Sequence, residues 1–224
     1  DLNVITLSGN FALEDEDQPS KSNFTFLNAN SVLSEWERKE TTEAINPKYQ
    51  YDLQYKREFK NNKDHILMAS TLGKLFQKDQ SSLFENTYLD NSASNQNQET
   101  NTNFYQKDYI FKVDYTNPIS KKINIETGAQ YEINDVGNNY NVLNEINNVF
   151  VIDSNLSNNF EYDQQVLGVY GTGSYEKDKW GVKAGLRAEN TQLQTLLVNT
   201  NQDNSQNYTN FFPSFHSSYK ISKF

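Results

Sequence analysis

From Ile123 to Asn134 the chain alternates without a break, with Ile123, Ile125, Thr127, Ala129, Tyr131 and Ile133 set against Asn124, Glu126, Gly128, Gln130, Glu132 and Asn134. A period of two puts these sets on opposite faces of an extended strand, one dry and one wet. The pattern returns in Tyr109, Phe111, Val113 and Tyr115 against Ile110, Lys112, Asp114 and Thr116. It returns again in Tyr49, Tyr51, Leu53 and Tyr55 against Gln50, Asp52, Gln54 and Lys56. A face of tyrosines and aliphatics backed by charges and amides is how a membrane-spanning β-barrel separates lipid from a watery lumen. On that basis Tyr49, Tyr51, Leu53, Tyr55, Tyr109, Phe111, Val113, Tyr115, Ile123, Ile125 and Tyr131 are expected to face lipid. Gln54, Lys56, Lys112, Asp114, Glu126, Gln130, Lys183, Arg187 and Glu189 are expected to face the lumen.

Composition narrows the field further. A hydrophobic content of 35% is low for a compact soluble fold of 224 residues, yet aromatics reach 13%, with 14 Tyr and 14 Phe. The apolar surface is therefore concentrated in rings suited to sheet faces and interfaces. Asn is about one residue in seven, a usage suited to turns rather than helices. A net charge of −9 argues against a nucleic-acid surface, and the absence of Cys removes disulfides and thiolate zinc sites. No apolar run reaches the roughly 18 residues of a spanning helix, which says nothing against spanning strands. Asp1-Leu2-Asn3-Val4 lacks the basic start and apolar core of a signal peptide, so the chain is expected to be a piece cut from a longer protein at both ends, one barrel segment over 1–224.

Strands are expected at 2–13, 48–59, 64–76, 104–116, 122–134, 162–175, 180–192 and 213–222. Three connections are short: Lys60 to Lys63, Asn117 to Lys121, and Glu176 to Lys179. Four are long and polar, at about 14–47, 77–103, 135–161 and 193–212, and they alternate strictly with the short ones, as expected of a barrel with tight turns at one end and large loops at the other. The fold class is therefore all-β: an antiparallel up-and-down transmembrane barrel of about eight strands, or an arc of one. An arc would leave two open edges able to self-associate. Within the long connections, Asn91 to Asn103 has the composition of a mobile loop. Ser31 to Arg38 has room for one or two helical turns, and Glu14-Asp15-Glu16-Asp17 reads as a solvated acidic loop. Phe224 is out of step with Phe215, Tyr219 and Ile221, so Ser222 to Phe224 is expected to begin a further turn.

Two stretches then point to a family: Asn159-Phe160-Glu161-Tyr162-Asp163-Gln164-Gln165-Val166-Leu167-Gly168-Val169-Tyr170, and Trp180-Gly181-Val182-Lys183-Ala184-Gly185-Leu186-Arg187-Ala188-Glu189-Asn190-Thr191. With the later Phe211-Phe212-Pro213-Ser214-Phe215-His216-Ser217-Ser218-Tyr219-Lys220, and the earlier hairpin Tyr51 to Phe59 and Lys63 to Leu67, the chain from about position 48 resembles the barrel of TonB-dependent outer-membrane receptors of the Bacteroidetes type. The resemblance implies a bacterial outer-membrane location, outer-membrane lipid as the surrounding partner, and import of an unidentified nutrient or chelated metal. It also implies coupling to the TonB energy system through a plug that lies outside this sequence, with further strands expected after Phe224.

Catalytic constellations are sparse. His65 and His216 are the only histidines, each on a strand with no spaced partner, so neither a metal site nor a cofactor is expected. Glu14 to Asp17 lacks the spacing and turn glycine of a calcium loop. Gly168, Gly171, Gly173 and Gly181 are followed by no phosphate-loop lysine and read as small residues in bending strands. Arg187 and Glu189 are expected to pair with charges on a neighbouring strand. Tyr109, Tyr115, Tyr131 and Trp180 fit an interfacial girdle better than a sugar platform. The alternative to a barrel is a soluble or surface-anchored β-sandwich binding a glycan or protein, its apolar faces packed together. An enzyme built on His216 with Ser214 and Ser217 is the weakest reading, and the chain is expected not to be one.

Overall fold

The computed structural model describes residues 1–28, 31–60, 62–89 and 96–221. Their strands are β1 (Leu2–Asn28), β2 (Ser31–Phe59), β3 (Asn62–Tyr88), β4 (Gln98–Pro118), β5 (Ile123–Ile146), β6 (Val149–Ile152), β7 (Asn158–Lys177), β8 (Trp180–Leu197) and β9 (Gln202–Tyr219). All pairings are antiparallel, and the spatial order β1-β2-β3-β4-β5-β7-β8-β9 follows the chain, with the short β6 folded back on the end of β5. This is the all-β up-and-down arrangement expected, as an open arc of eight long strands plus one short one. It is a single layer, so the apolar faces are not packed together as in a sandwich.

The strands run much further than the alternation alone indicates. Ranges 14–47, 77–103, 135–161 and 193–212 are mostly strand, because cross-strand pairing continues past the apolar segments: β1 stays on β2 as far as Asn28↔Ser31, and β8 on β9 as far as Leu197↔Gln202. Phe24, Phe26 and Leu27, and Leu83, Phe84 and Tyr88, carry a pattern that allows strands to project beyond the band, and Phe24 does stack on Trp36 at 5.0 Å; most of the remaining residues are polar, so hydrophobic periodicity does not reveal them. The acidic run Glu14 to Asp17 is part of β1, Ser31 to Arg38 is part of β2 rather than helical, and residues 98–103 are strand rather than mobile loop, held between β3 and β4's other neighbour β5. Residues 90–95 lie outside the described residues, as do Ser222 to Phe224 and with them the expected turn. Asparagine supplies the tight tips: Asn147 (φ 52°) and Asn148 (φ 63°) both take the left-handed backbone between β5 and β6, as a two-residue hairpin requires.

Register joins the strands into two coherent faces. Ile5, Tyr55, Ala69, Val113, Ala129, Val169, Ala188 and Phe211 lie directly opposite one another across eight strands. A slip of one residue at any pairing would break that apolar row. On β5 the apolar set runs from Ile123 to Ile133, about 34 Å of strand, which at the tilt of a barrel strand matches a band roughly 25 Å tall.

Exposure on the two faces is reversed relative to a protein dissolved in water. Leu167, Val169 and Leu186 are 50, 50 and 52% exposed. The side chains of Asp114, Glu189 and Arg187 are only 24, 24 and 29% exposed. Among the described residues Ala44 and Val142 are the only buried apolar ones, and they share the polar face with buried Thr42, Asn46, Ser82, Asn86, Thr100 and Thr191.

Candidate functional site: the polar face of the sheet

Register places Gln54, Lys56, Lys112, Asp114, Glu126, Gln130, Lys183, Arg187 and Glu189 on one face. It places Tyr49, Tyr51, Leu53, Tyr55, Tyr109, Phe111, Val113, Tyr115, Ile123, Ile125 and Tyr131 on the other. The centre of the polar face is the row Lys56, Met68, Asp114, Gly128, Tyr170, Arg187 and Phe212. Gly128 leaves a gap in that row, and Tyr170 lies across it to donate its hydroxyl to Asp114. A Cβ at Gly128 would sit 2.5 Å from the Tyr170 Oη and 2.6 Å from the Val113 carbonyl oxygen. Asp114 also pairs with Lys112 at 3.0 Å. The Arg187 guanidinium lies 5.3 Å from the Tyr170 ring centre and leans over Gly168, where a Cβ would meet its Nη2 at 2.7 Å. Gly168 thus serves an arginine rather than a bend.

A second cluster lies nearer the short turns. Lys183 donates to Glu126 at 2.7 Å from two strands away, and Thr172, between them, donates to the same carboxylate at 3.2 Å. Arg187 departs from the expected cross-strand pairing, since its carboxylate partner is Glu189 on its own strand. Lys56 likewise pairs along β2 with Glu58, at 2.7 Å, and Gln54 donates to Asp52 at 3.1 Å. Gln130 donates to Glu132, while Gln106 donates to Asp108 at 3.0 Å. Many of the charged and amide groups of this face are thus held by one another along or across the strands.

Above the apolar band, Glu14 pairs with Lys48 at 3.0 Å, and the hydrogen bond and charge of that ammonium hold the Glu14 carboxyl below the ordinary carboxylate range. The apolar face carries ring clusters near the short turns. His65 Nε2 is 2.8 Å from the Tyr115 hydroxyl, its ring stacks on Phe59 at 3.9 Å, and Trp180 meets Tyr219 edge-on at 5.1 Å. Higher up, the Tyr131 hydroxyl donates to Gln165 at 2.7 Å. His216 lies opposite Lys183, Ser214 opposite Gly185, and Ser217 on the other face, so the two serines do not converge on the histidine. Among the described residues no group of three or more His, Cys, Asp or Glu is placed to hold a metal.

Tyr170 is the residue that sequence reasoning passed over. Its type suggests the apolar face, but its position one step from Val169 puts it on the polar one. That parity, together with a glycine in the facing strand, is the signal that identifies it.

The model of the outer membrane protein β-barrel family matches residues 57–224. The chain belongs to the outer membrane protein β-barrel family. Its place is the bacterial outer membrane, and the reversed exposure of its two faces accords with that solvent. No curated protein matches its sequence. Among solved structures, this β-barrel family member is similar to the ferric citrate transporter FecA in its unliganded form, with a TM-score of 0.50 and 11% identity over 95% of this chain and 34% of that one. The ferric yersiniabactin uptake receptor FyuA from Yersinia pestis aligns with a TM-score of 0.37 and 10% identity over 96% of this chain and 40% of that one. The β-barrel chain therefore spans 34% of the length of the FecA chain, and the likeness is one of fold.

Proposed function

We propose that this chain is one arc of the barrel wall of a TonB-dependent outer-membrane receptor that imports a nutrient or chelated metal. The apolar face meets lipid, and the charged row from Lys56 to Arg187 lines the aqueous interior. The observation that carries this is the reversal of exposure: Ile5, Leu53, Val113, Ile125, Val169 and Leu186 stand open on β1, β2, β4, β5, β7 and β8, while Asp114, Arg187 and Glu189 are crowded and paired. In water such a sheet would be driven to associate through its apolar face; in lipid that face is matched, and the open edges of β1 and β9 pair with the further strands of the barrel. The FecA likeness over about a third of that transporter's chain supports an arc rather than a closed barrel. The strands holding Gly185-Leu186-Arg187-Ala188-Glu189 and Phe212-Pro213-Ser214 support a receptor of the Bacteroidetes type, coupled through a plug to the TonB system.

Uptake in whole cells is the direct test. Cells expressing the full-length protein are expected to accumulate a labelled iron chelate or small nutrient that deletion cells do not, with accumulation lost when the proton-motive force is collapsed. Uptake that survives such collapse would identify a passive pore instead.

A further inference from the structure

The two ends of the sheet carry opposite charge. Ranges 14–47, 77–103, 135–161 and 193–212 together hold 17 Asp and Glu against 4 Lys and Arg. At the other end each short connection brings a pair of lysines: Lys60 and Lys63, Lys121 and Lys122, Lys177 and Lys179. Glu176 and Asp178 are the only acids within those connections. All six lysines are exposed, and among the described residues none is in an ion pair. This contrasts with Lys56, Lys107, Lys112 and Lys183, each of which holds a carboxylate within the sheet.

The lysine pairs sit just below the rings of the apolar face. Phe59, His65 and Tyr115 form one cluster beside Lys60 and Lys63, and Trp180 with Tyr219 forms another beside Lys177 and Lys179. Amphipathic rings of this kind settle at headgroup depth. Successive hairpins are two strands apart, about 10 Å, so the pairs repeat along the rim of the wall instead of gathering into one patch. A rim of exposed lysines at headgroup depth, outnumbering the acids of the same turns, fits the surrounding bilayer better than a single acidic protein.

We propose that the lysine pairs of the short turns bind the headgroups of anionic phospholipids in the leaflet at that end of the barrel. The inference rests on the reading that the apolar face meets lipid. Each pair offers two ammonium groups to a phosphate diester, and the attraction falls off within a Debye length of the surface.

The test uses the full-length protein reconstituted in phosphatidylcholine bilayers, with spin-labelled phosphatidylcholine or phosphatidylglycerol as the probe. The fraction of each label immobilised at the protein surface is measured. The wild-type protein is expected to select phosphatidylglycerol by about threefold or more at low salt. That selectivity should disappear in the variant Lys60→Gln/Lys63→Gln/Lys121→Gln/Lys122→Gln/Lys177→Gln/Lys179→Gln and persist when the same six are changed to Arg. Raising salt to about 1 M should remove it from the wild type without any substitution, so the proposal stays testable if the glutamine variant does not assemble. Equal binding of the two labels by wild type, or undiminished selectivity in the glutamine variant, overturns the proposal while leaving the barrel wall intact. Immobilisation of neither label would instead show that the apolar face does not meet lipid, and would overturn both readings.

Discussion

Phe111 and Lys112 are neighbours in the chain and occupy opposite faces of β4, and each has the surroundings a soluble protein would give the other. Phe111 is 46% exposed; the Lys112 side chain is 36% exposed and spends its charge on Asp114. The same exchange holds for Leu186 beside Arg187 on β8. Exposed aliphatic area costs about 25 cal/mol per Å² in water, so a face of this extent would be a liability there. The difference between the faces therefore bears on the solvent more directly than composition does, since only 35% of the residues are hydrophobic.

The largest effect should come from putting a charge on the exposed apolar face. Phe111→Lys is expected to cost about 2–4 kcal/mol, as near the bilayer midplane, and to abolish assembly of the full-length protein, read as loss of the folded, heat-modifiable form in outer membranes, with Ile125→Lys, closer to the short turns, impairing it less. Gln130→Lys, one position from Tyr131 on the polar face, is expected to assemble normally. Equal tolerance of all three would break the comparison.

A smaller effect tests crowding on the polar face. Gly128→Ala would drive a methyl into Tyr170 and the Val113 carbonyl, at about 1–3 kcal/mol, lowering the thermal midpoint in detergent. The double change Gly128→Ala/Tyr170→Ala should recover part of that loss, and only part, because the Val113 oxygen belongs to the backbone. No recovery would place the strain elsewhere.

The smallest effect lies beyond the apolar band, where both faces are polar. Lys48 lowers the folded pKa of Glu14 below 4.5, so the stabilisation is complete above that ordinary value and is lost as pH falls through the lower folded one. The difference in thermal midpoint between wild type and Glu14→Gln should be slight at neutral pH and vanish in acid. A difference that grows in acid would contradict the pairing.

These three regions also mark how far the sequence was legible. Inside the band, alternation identified the strands and sorted residues such as Ile125 and Gln130 onto the separate faces that the register gives them, because apolar and polar side chains take turns there without a break. Past the band that contrast ends. Glu14 to Asp17 and residues 98–103 look like loop in sequence because nothing apolar alternates, yet their backbone groups still pair with the neighbouring strand. The Asp114–Tyr170–Arg187 cluster was half visible. Its charges were evident from parity, whereas Tyr170 depended on the register that sets it opposite Gly128, a relation between strands more than 40 residues apart that no local pattern contains.

The unbroken pairing of β1 with β2 also has a mechanical side. From Leu13 to Asn28 the hairpin extends about 50 Å of strand past the apolar segment at roughly 3.4 Å per residue, with one shift in register, between Phe26 and Leu27, near its tip. A ribbon hydrogen-bonded along its length behaves as a beam rather than a tether. A molecule that pushes on the paired strands near Asn28 and Ser31 pushes on that ribbon. Bending of the ribbon there is carried down to the side-chain rows of the sheet, with the length of the paired strands as its lever arm.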